Sequence, residues 1–187
     1  VTFMDNWLGL FLDTLKETGL DQNTMVLLTA DHGTNNGDGG PGHPFGKYSP
    51  ISENESHVPL MIKLPETSEA GTADIIVQPQ DIFATIMNLV DVPVPAEIDS
   101  YDILKQIKDQ EEKRDIALSG KAVGSWAGAG SDNILFSVYD KNWRLGFAAS
   151  PEHCQLQKLG TQNNIAGEKP EVVAELRKKA ILKIKNL

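Results

Sequence analysis

Apolar side chains recur at three- and four-residue spacings over residues 3 to 18, where Phe3, Trp7, Leu8, Phe11, Leu12 and Leu15 share one face. That period predicts an amphipathic helix, and Gly19 is placed to end it in a left-handed cap. Asp21-Gln22-Asn23-Thr24 is polar and reads as a turn, after which Met25 to Thr29 is a short, continuous strand-like run. An unbroken apolar run predicts a strand covered on both faces, as in a parallel sheet between helix layers. From Thr34 to Ser56 no period is sustained, and Gly, Pro, Asn and Ser dominate. This predicts a long loop, and loops beyond about 12 to 15 residues in a compact domain are usually functional or disordered.

Val58 to Leu64 returns to an apolar strand, Pro65 to Thr72 reads as a turn, and Asp74 to Val77 as a short strand. Pro79 to Val90 predicts a helix with Ile82, Phe83, Ile86, Leu89 and Val90 on one side and Pro79 in its first turn. Val92-Pro93-Val94-Pro95 stops the pattern. Residues 97 to 115 are charged and read as partly helical surface, whereas Ile116 to Ser119, Ile134 to Tyr139 and Trp143 to Ala148 read as strands. Asp140-Lys141-Asn142 supplies a hairpin turn between the last two, and Val123 to Ser131 a loop or bulged crossing. Pro170 to Asn186 predicts a terminal helix, with Glu171 and Glu175 early and Arg177, Lys178, Lys179, Lys183 and Lys185 late, as the helix dipole favours. The expected class is α/β. Residues 1–95 would form part of a mixed sheet flanked by helices, and residues 96–187 a small α+β subdomain with an antiparallel sheet closed by the C-terminal helix.

Composition narrows the function. The chain has 187 residues, 40% of them hydrophobic, enough for a sizeable core. A formal net charge of -9 with a pI near 4.9 argues against nucleic acid as a partner, because general phosphate attraction needs a basic face. No apolar run approaches the roughly 20 residues of a membrane-spanning helix. The single cysteine, Cys154, leaves no internal disulfide to form and is expected as a small, buried or half-buried apolar side chain. The sequence opens without Met and inside a predicted helix, which suggests a portion of a longer chain.

The chemistry is concentrated at Asp31-His32-Gly33, directly after the first predicted strand. Parallel α/β sheets bind ligands at the carboxyl ends of their strands. There a carboxylate and an imidazole can both turn toward one cation, while Gly33 lets the backbone leave without a Cβ clash. Taken alone, the tripeptide is read as readily as a turn in which Asp31 caps the next segment and His32 faces solvent. It does not stand alone: Gly46-Lys47-Tyr48-Ser49 and His57-Val58-Pro59-Leu60-Met61-Ile62 follow it. In that order and spacing the sequence resembles the sulfatase family of the alkaline phosphatase superfamily. Gln80 to Ile86 is similar to the family's Asp-Ile-x-Pro-Thr-Ile/Leu helix, with Ala84 in place of the proline, and Leu156 to Leu176 resembles its C-terminal signature through Asn164-Ile165-Ala166. The wording around Lys47 and His57 leans toward the arylsulfatase and iduronate-sulfatase-like branch.

The resemblance implies an alkaline-phosphatase-like fold and a sulfuric ester hydrolase. Asp31 and His32 would be half of a divalent-metal site; calcium is expected, with zinc or manganese the alternatives that an imidazole nitrogen favours. Lys47 would contact a sulfate oxygen and the leaving-group oxygen. His43 would donate a proton or touch substrate, although a plain surface histidine reads as readily there, and His57 would buttress Lys47 or line the pocket, although packing alone also accounts for it. The family's formylglycine motif, Cys/Ser-x-Pro-x-Arg, and its paired aspartates do not occur in these residues. The nucleophile and the remaining ligands are therefore expected in an N-terminal part of the same enzyme, and this chain alone should not turn over. A sulfate ester, such as a sulfated sugar, is the implied substrate, and a periplasmic, secreted or lysosomal location the implied setting. Asn54-Glu55-Ser56 is a glycosylation sequon consistent with that setting. Two other readings stay open: a phosphodiesterase or phosphonate monoester hydrolase of the same superfamily, and a non-catalytic sulfatase-like module that binds glycans.

Overall fold

The computed structural model describes residues 2–34, 51–67, 70–122, 134–148 and 154–185, which fall into two compact units. Residues 1–31 with 58–72 make the first, and residues 32–57 with 73–187 the second.

In the first unit the predicted helix is α1, Thr2–Glu17. Gly19 ends it at φ 71°, a left-handed conformation that a β-carbon would strain. A single 3-10 turn, Leu20–Asn23, leads into β1, Val26–Thr29. The parallel pairing expected for this strand is not what forms. It pairs antiparallel with β2, Leu60–Lys63, in a two-stranded sheet with Val26 opposite Lys63 and Thr29 opposite Leu60. Nor is β1 buried on both faces; Val26, Leu27 and Leu28 are half-buried, because a two-stranded ribbon offers them only one neighbour. Much of α1 is exposed too, including Phe3 at 70%, Trp7 at 56% and Phe11 at 51%.

The second unit holds the core. Strands β3 (Ala117–Ala122), β4 (Ile134–Tyr139), β5 (Trp143–Ala148) and β6 (Gln155–Lys158) form an antiparallel meander in chain order; β4 and β5 match the predicted strands, β3 runs longer than predicted, and β6 is an addition to them. The hairpin turn is tied by Asp140 Oδ1, which accepts from the amides of Asn142 and Trp143, each at 2.7 Å. Period two then assigns the faces. Val138, Leu145, Phe147 and Leu156 join Leu176 and Ala180 of the terminal helix in a buried cluster, and the rings of Phe136 and Phe147 stack 5.7 Å apart. Ser137, Tyr139, Arg144 and Gln157 point the other way.

Among the described residues this unit also holds helices α2 (Glu53–Ser56), α3 (Asp81–Leu89) and α4 (Ile103–Asp109), with α5 (Pro170–Lys185) the terminal one. Asp74 to Val77 is not a strand; it runs as irregular backbone, held where the Ile76 amide meets Glu112 Oε1 at 2.8 Å. The side of α3 that packs is Asp81, Ala84 and Thr85, whereas Phe83, Ile86, Leu89 and Val90 are exposed. The reason is a buried polar anchor. Asp81, with no exposed surface, accepts from Arg114 Nε at 2.9 Å and Nη2 at 2.7 Å, and from the amides of Gln78 and Tyr101, both at 2.9 Å. Thr85 Oγ1 accepts from the Ile103 amide at 2.9 Å, joining α3 to α4.

Candidate functional site

Asp31 lies two residues beyond the end of β1, exposed, in a bend at the end of the first unit's first segment. His32 and Gly33 open the second unit. The His32 ring is exposed, and its Nδ1 lies 2.8 Å from the Gly33 carbonyl oxygen. A carbonyl only accepts, so in this contact Nδ1 is the donor. Metal-binding histidines are commonly held in this way, with one ring nitrogen donating to a backbone carbonyl while the other faces the ion. The donor chemistry of this dipeptide, one carboxylate and one imidazole tethered to backbone through Nδ1, fits a divalent cation. It does not complete a site: among the described residues no group of three or more His, Cys, Asp or Glu is arranged to hold a metal ion.

Gly33 is where the dipeptide meets its support. Its amide donates to the Glu55 carbonyl at 2.8 Å, and a β-carbon on Gly33 would fall 1.9 Å from the Asn54 carbonyl oxygen. Only glycine fits. The predicted long loop therefore ends in structure, because Glu53–Ser56 forms the one-turn helix α2. A sequence signal for it exists in Ser52-x-x-Glu55, in which a helix-start serine is paired with a glutamate three residues on. The Glu55 carboxylate accepts from the Ser52 amide at 2.9 Å and its hydroxyl at 3.0 Å.

The segment is in turn fixed to the polar face of the four-stranded sheet. The Ile51 carbonyl oxygen accepts from Ser137 Oγ at 2.7 Å, Tyr139 Oη at 3.1 Å, Arg144 Nε at 2.9 Å and Arg144 Nη2 at 2.7 Å. Tyr139 Oη also accepts from Ser56 Oγ at 2.6 Å. Burial pushes the Tyr139 phenol above its ordinary value, keeping it a donor despite the opposing influence of the Ser56 hydrogen bond and the Arg144 charge. Sequence reasoning did not find these residues, since a Ser or Arg at an alternate strand position reads as solvent-facing.

His57, suggested as a packing residue, is exposed instead; its side chain is 78% accessible, with Nδ1 3.8 Å from Glu53 Oε1. Lys47 and His43 lie outside the described residues. Cys154 is half-buried as expected, with Arg177 Nη1 3.9 Å from its sulfur. Beside Asn54, a cleft of about 190 Å³ is lined by polar side chains, among them Ser52, Gln155, Gln157 and Thr161.

With helices and antiparallel sheets in this order, the fold is a mixed α/β one of the alkaline-phosphatase-like kind. It superposes on a phosphonate monoester hydrolase from Silicibacter pomeroyi with a TM-score of 0.79 at 21% identity, over 98% of this chain and 39% of that one. A protein solved with its substrate D-glucosamine-2-N,6-O-disulfate matches with a TM-score of 0.74 at 20% identity, over 97% of this chain and 38% of that one. Residues 1–92 match the sulfatase family model. Arylsulfatase K of Xenopus laevis is 26% identical over 186 residues, covering 94% of this chain and 34% of its own length. Together these likenesses support a place in the sulfatase superfamily, and the chain spans about a third of the length of the curated relative it matches over most of its residues.

Proposed function

We propose that the chain is the C-terminal part of a sulfuric ester hydrolase in which Asp31 and His32 contribute to a divalent-metal site. The observation that carries this reading is the His32 Nδ1 to Gly33 carbonyl contact of 2.8 Å, the kind of backbone tether that orients a ligating imidazole, within the motif the family uses for metal. Calcium is the assigned ion, because a sulfatase site completed by further carboxylates is dominated by oxygen ligands. When bound, it would neutralise charge on the sulfate oxygens. Lys47 is assigned the contact to the leaving-group oxygen, where an ammonium stabilises charge as the ester bond breaks. His43 and His57 are assigned supporting roles in proton donation or pocket lining.

The nucleophile, a formylglycine, and the remaining ligands are assigned to an N-terminal part of the same enzyme. The exposed face of α1, with Phe3, Trp7 and Phe11, supports such a partner, since contiguous exposed apolar surface marks an interaction site. A sulfated sugar is the assigned substrate class. The polar cleft beside Asn54 offers hydroxyl and amide groups suited to sugar hydroxyls, and the glucosamine disulfate bound by a structural relative accords with it.

The deciding experiment uses the intact enzyme on an aryl sulfate and an aryl phosphonate. Sulfate turnover, lost in Asp31→Ala, His32→Ala and Lys47→Ala, is expected. Preferential phosphonate turnover would favour the phosphonate monoester hydrolase reading, which the fold shared with such an enzyme keeps in view. Binding of sulfated glycan without turnover would favour the non-catalytic module.

A further inference from the structure

The polar face of the β3 to β6 sheet is built around a single main-chain atom. Ser137 has no exposed surface and Arg144 is 3% exposed, yet both direct hydrogen bonds to the Ile51 carbonyl oxygen, which takes four donated contacts in all from Ser137, Tyr139 and Arg144. Burying a guanidinium is costly unless its donors are met. Here two of them converge on one carbonyl and Nη1 donates to Gln157 Oε1. Such a grip fixes backbone. Resting on the metal role given to His32 above, we propose that Arg144, seconded by Ser137 and Tyr139, is a positioning residue for the His32 metal ligand, acting through the 51–57 segment.

Every link of the path is a short contact. Ile51 precedes Ser52, whose amide and hydroxyl both hold Glu55; the Glu55 carbonyl takes the Gly33 amide at 2.8 Å; and the Gly33 carbonyl takes His32 Nδ1 at 2.8 Å. Gly33 has no slack to absorb a shift, because the Asn54 carbonyl lies where its β-carbon would be. A displacement of Ile51 must therefore pass to the imidazole. Ligand geometry is productive only within about 0.5 Å and 10–20°, and loss of outer-shell support typically costs about 10- to 100-fold in metal affinity or activity.

The test is made on the intact enzyme, stripped with a chelator and titrated with calcium chloride, and in parallel with manganese chloride, by calorimetry. Arg144→Lys keeps the charge but loses the fork of donors, whereas Ser137→Ala combined with Tyr139→Phe removes two donors and leaves the guanidinium. Lys113→Ala, at an exposed ion pair with Glu111, is the control. Expected is a metal Kd raised about 10-fold or more in the first two variants, unchanged in the control, with turnover restored at saturating metal. If Arg144→Lys does not fold, the double variant decides. A folded variant, judged by its Tm, that keeps the wild-type Kd overturns the inference and leaves the metal reading intact. A wild type that takes up neither ion overturns both.

Discussion

The Cα of Gly33 faces the carbonyl oxygen of Asn54 so closely that a β-carbon would fall 1.9 Å from it. The obstacle is backbone, not a flexible side-chain tip, so neither partner can swing aside. Gly33→Ala should therefore lower stability by about 1–3 kcal/mol through overpacking, and in the intact enzyme should cost activity out of proportion to the fall in Tm. Thermal melts beside sulfate-ester kinetics check this. An alanine variant with wild-type Tm and turnover would mean that the contact is not held in solution.

A different anchor supports the fold away from the site. Asp81 and Arg114 have side chains 0% and 2% exposed, joined through both carboxylate oxygens, with the Arg114 guanidinium 4.7 Å over the Tyr101 ring. Removing one partner leaves a buried charge uncompensated, so Arg114→Met should cost about 3–5 kcal/mol. Urea unfolding measures it. A loss below about 1 kcal/mol would place the pair in the class of exposed ion pairs.

How much of this the sequence discloses depends on the distance between partners. The period of α1, the hairpin at Asp140 and the terminal helix α5 are local patterns and form as read. The one-turn helix α2 was also legible, in Ser52-x-x-Glu55, beneath a loop-like composition. The buried side of α3 was not, because Asp81 is buried by an arginine 33 residues away and its apolar neighbours are left outside. Ser137 and Arg144 likewise occupy alternate positions that read as solvated, and become buried when Ile51, 86 and 93 residues distant, lies across them. Period reports which side chains share a face, but not what covers it. At the candidate site the Asp-His-Gly motif was readable, while the segment supporting it was not.

Acid should weaken the second unit through its paired carboxylates. Burial would raise the Asp99 pKa, but hydrogen bonds from Lys183 and Arg114 and their charges outweigh it and hold the carboxyl below its ordinary 3.8. Glu112 is likewise held below 4.5, burial being outweighed by the Ile76 amide and Lys141. With folded values depressed, the stabilisation is complete above the ordinary carboxylate range and is lost as pH falls through it and on through the folded values. Lys183→Met removes the 2.7 Å contact to Asp99 and should flatten the acid limb of Tm against pH, with little change in shape above about pH 6. An unaltered acid limb would show that Asp99 does not carry the dependence.

The exposed face of α1 gives the sharpest test of whether a larger catalytic domain covers it. Phe3 and Trp7 meet edge to face with centroids 6.1 Å apart, yet they are 70% and 56% exposed, so their contact excludes little water. In the 187-residue chain alone, Trp7→Glu should leave Tm nearly unchanged, because surface substitutions usually fall within about 0.5 kcal/mol. In the intact enzyme the same change would bury a carboxylate where an indole had packed, a cost of about 3–5 kcal/mol or more by comparison with large-to-small core substitutions. The Trp7 contribution to fluorescence, isolated as the difference from Trp7→Phe, should lie to the red in the short chain and shift blue in the intact enzyme. Equal spectra and equal tolerance of Trp7→Glu in both would leave α1 a solvent-facing helix and remove the support it gives to an N-terminal partner.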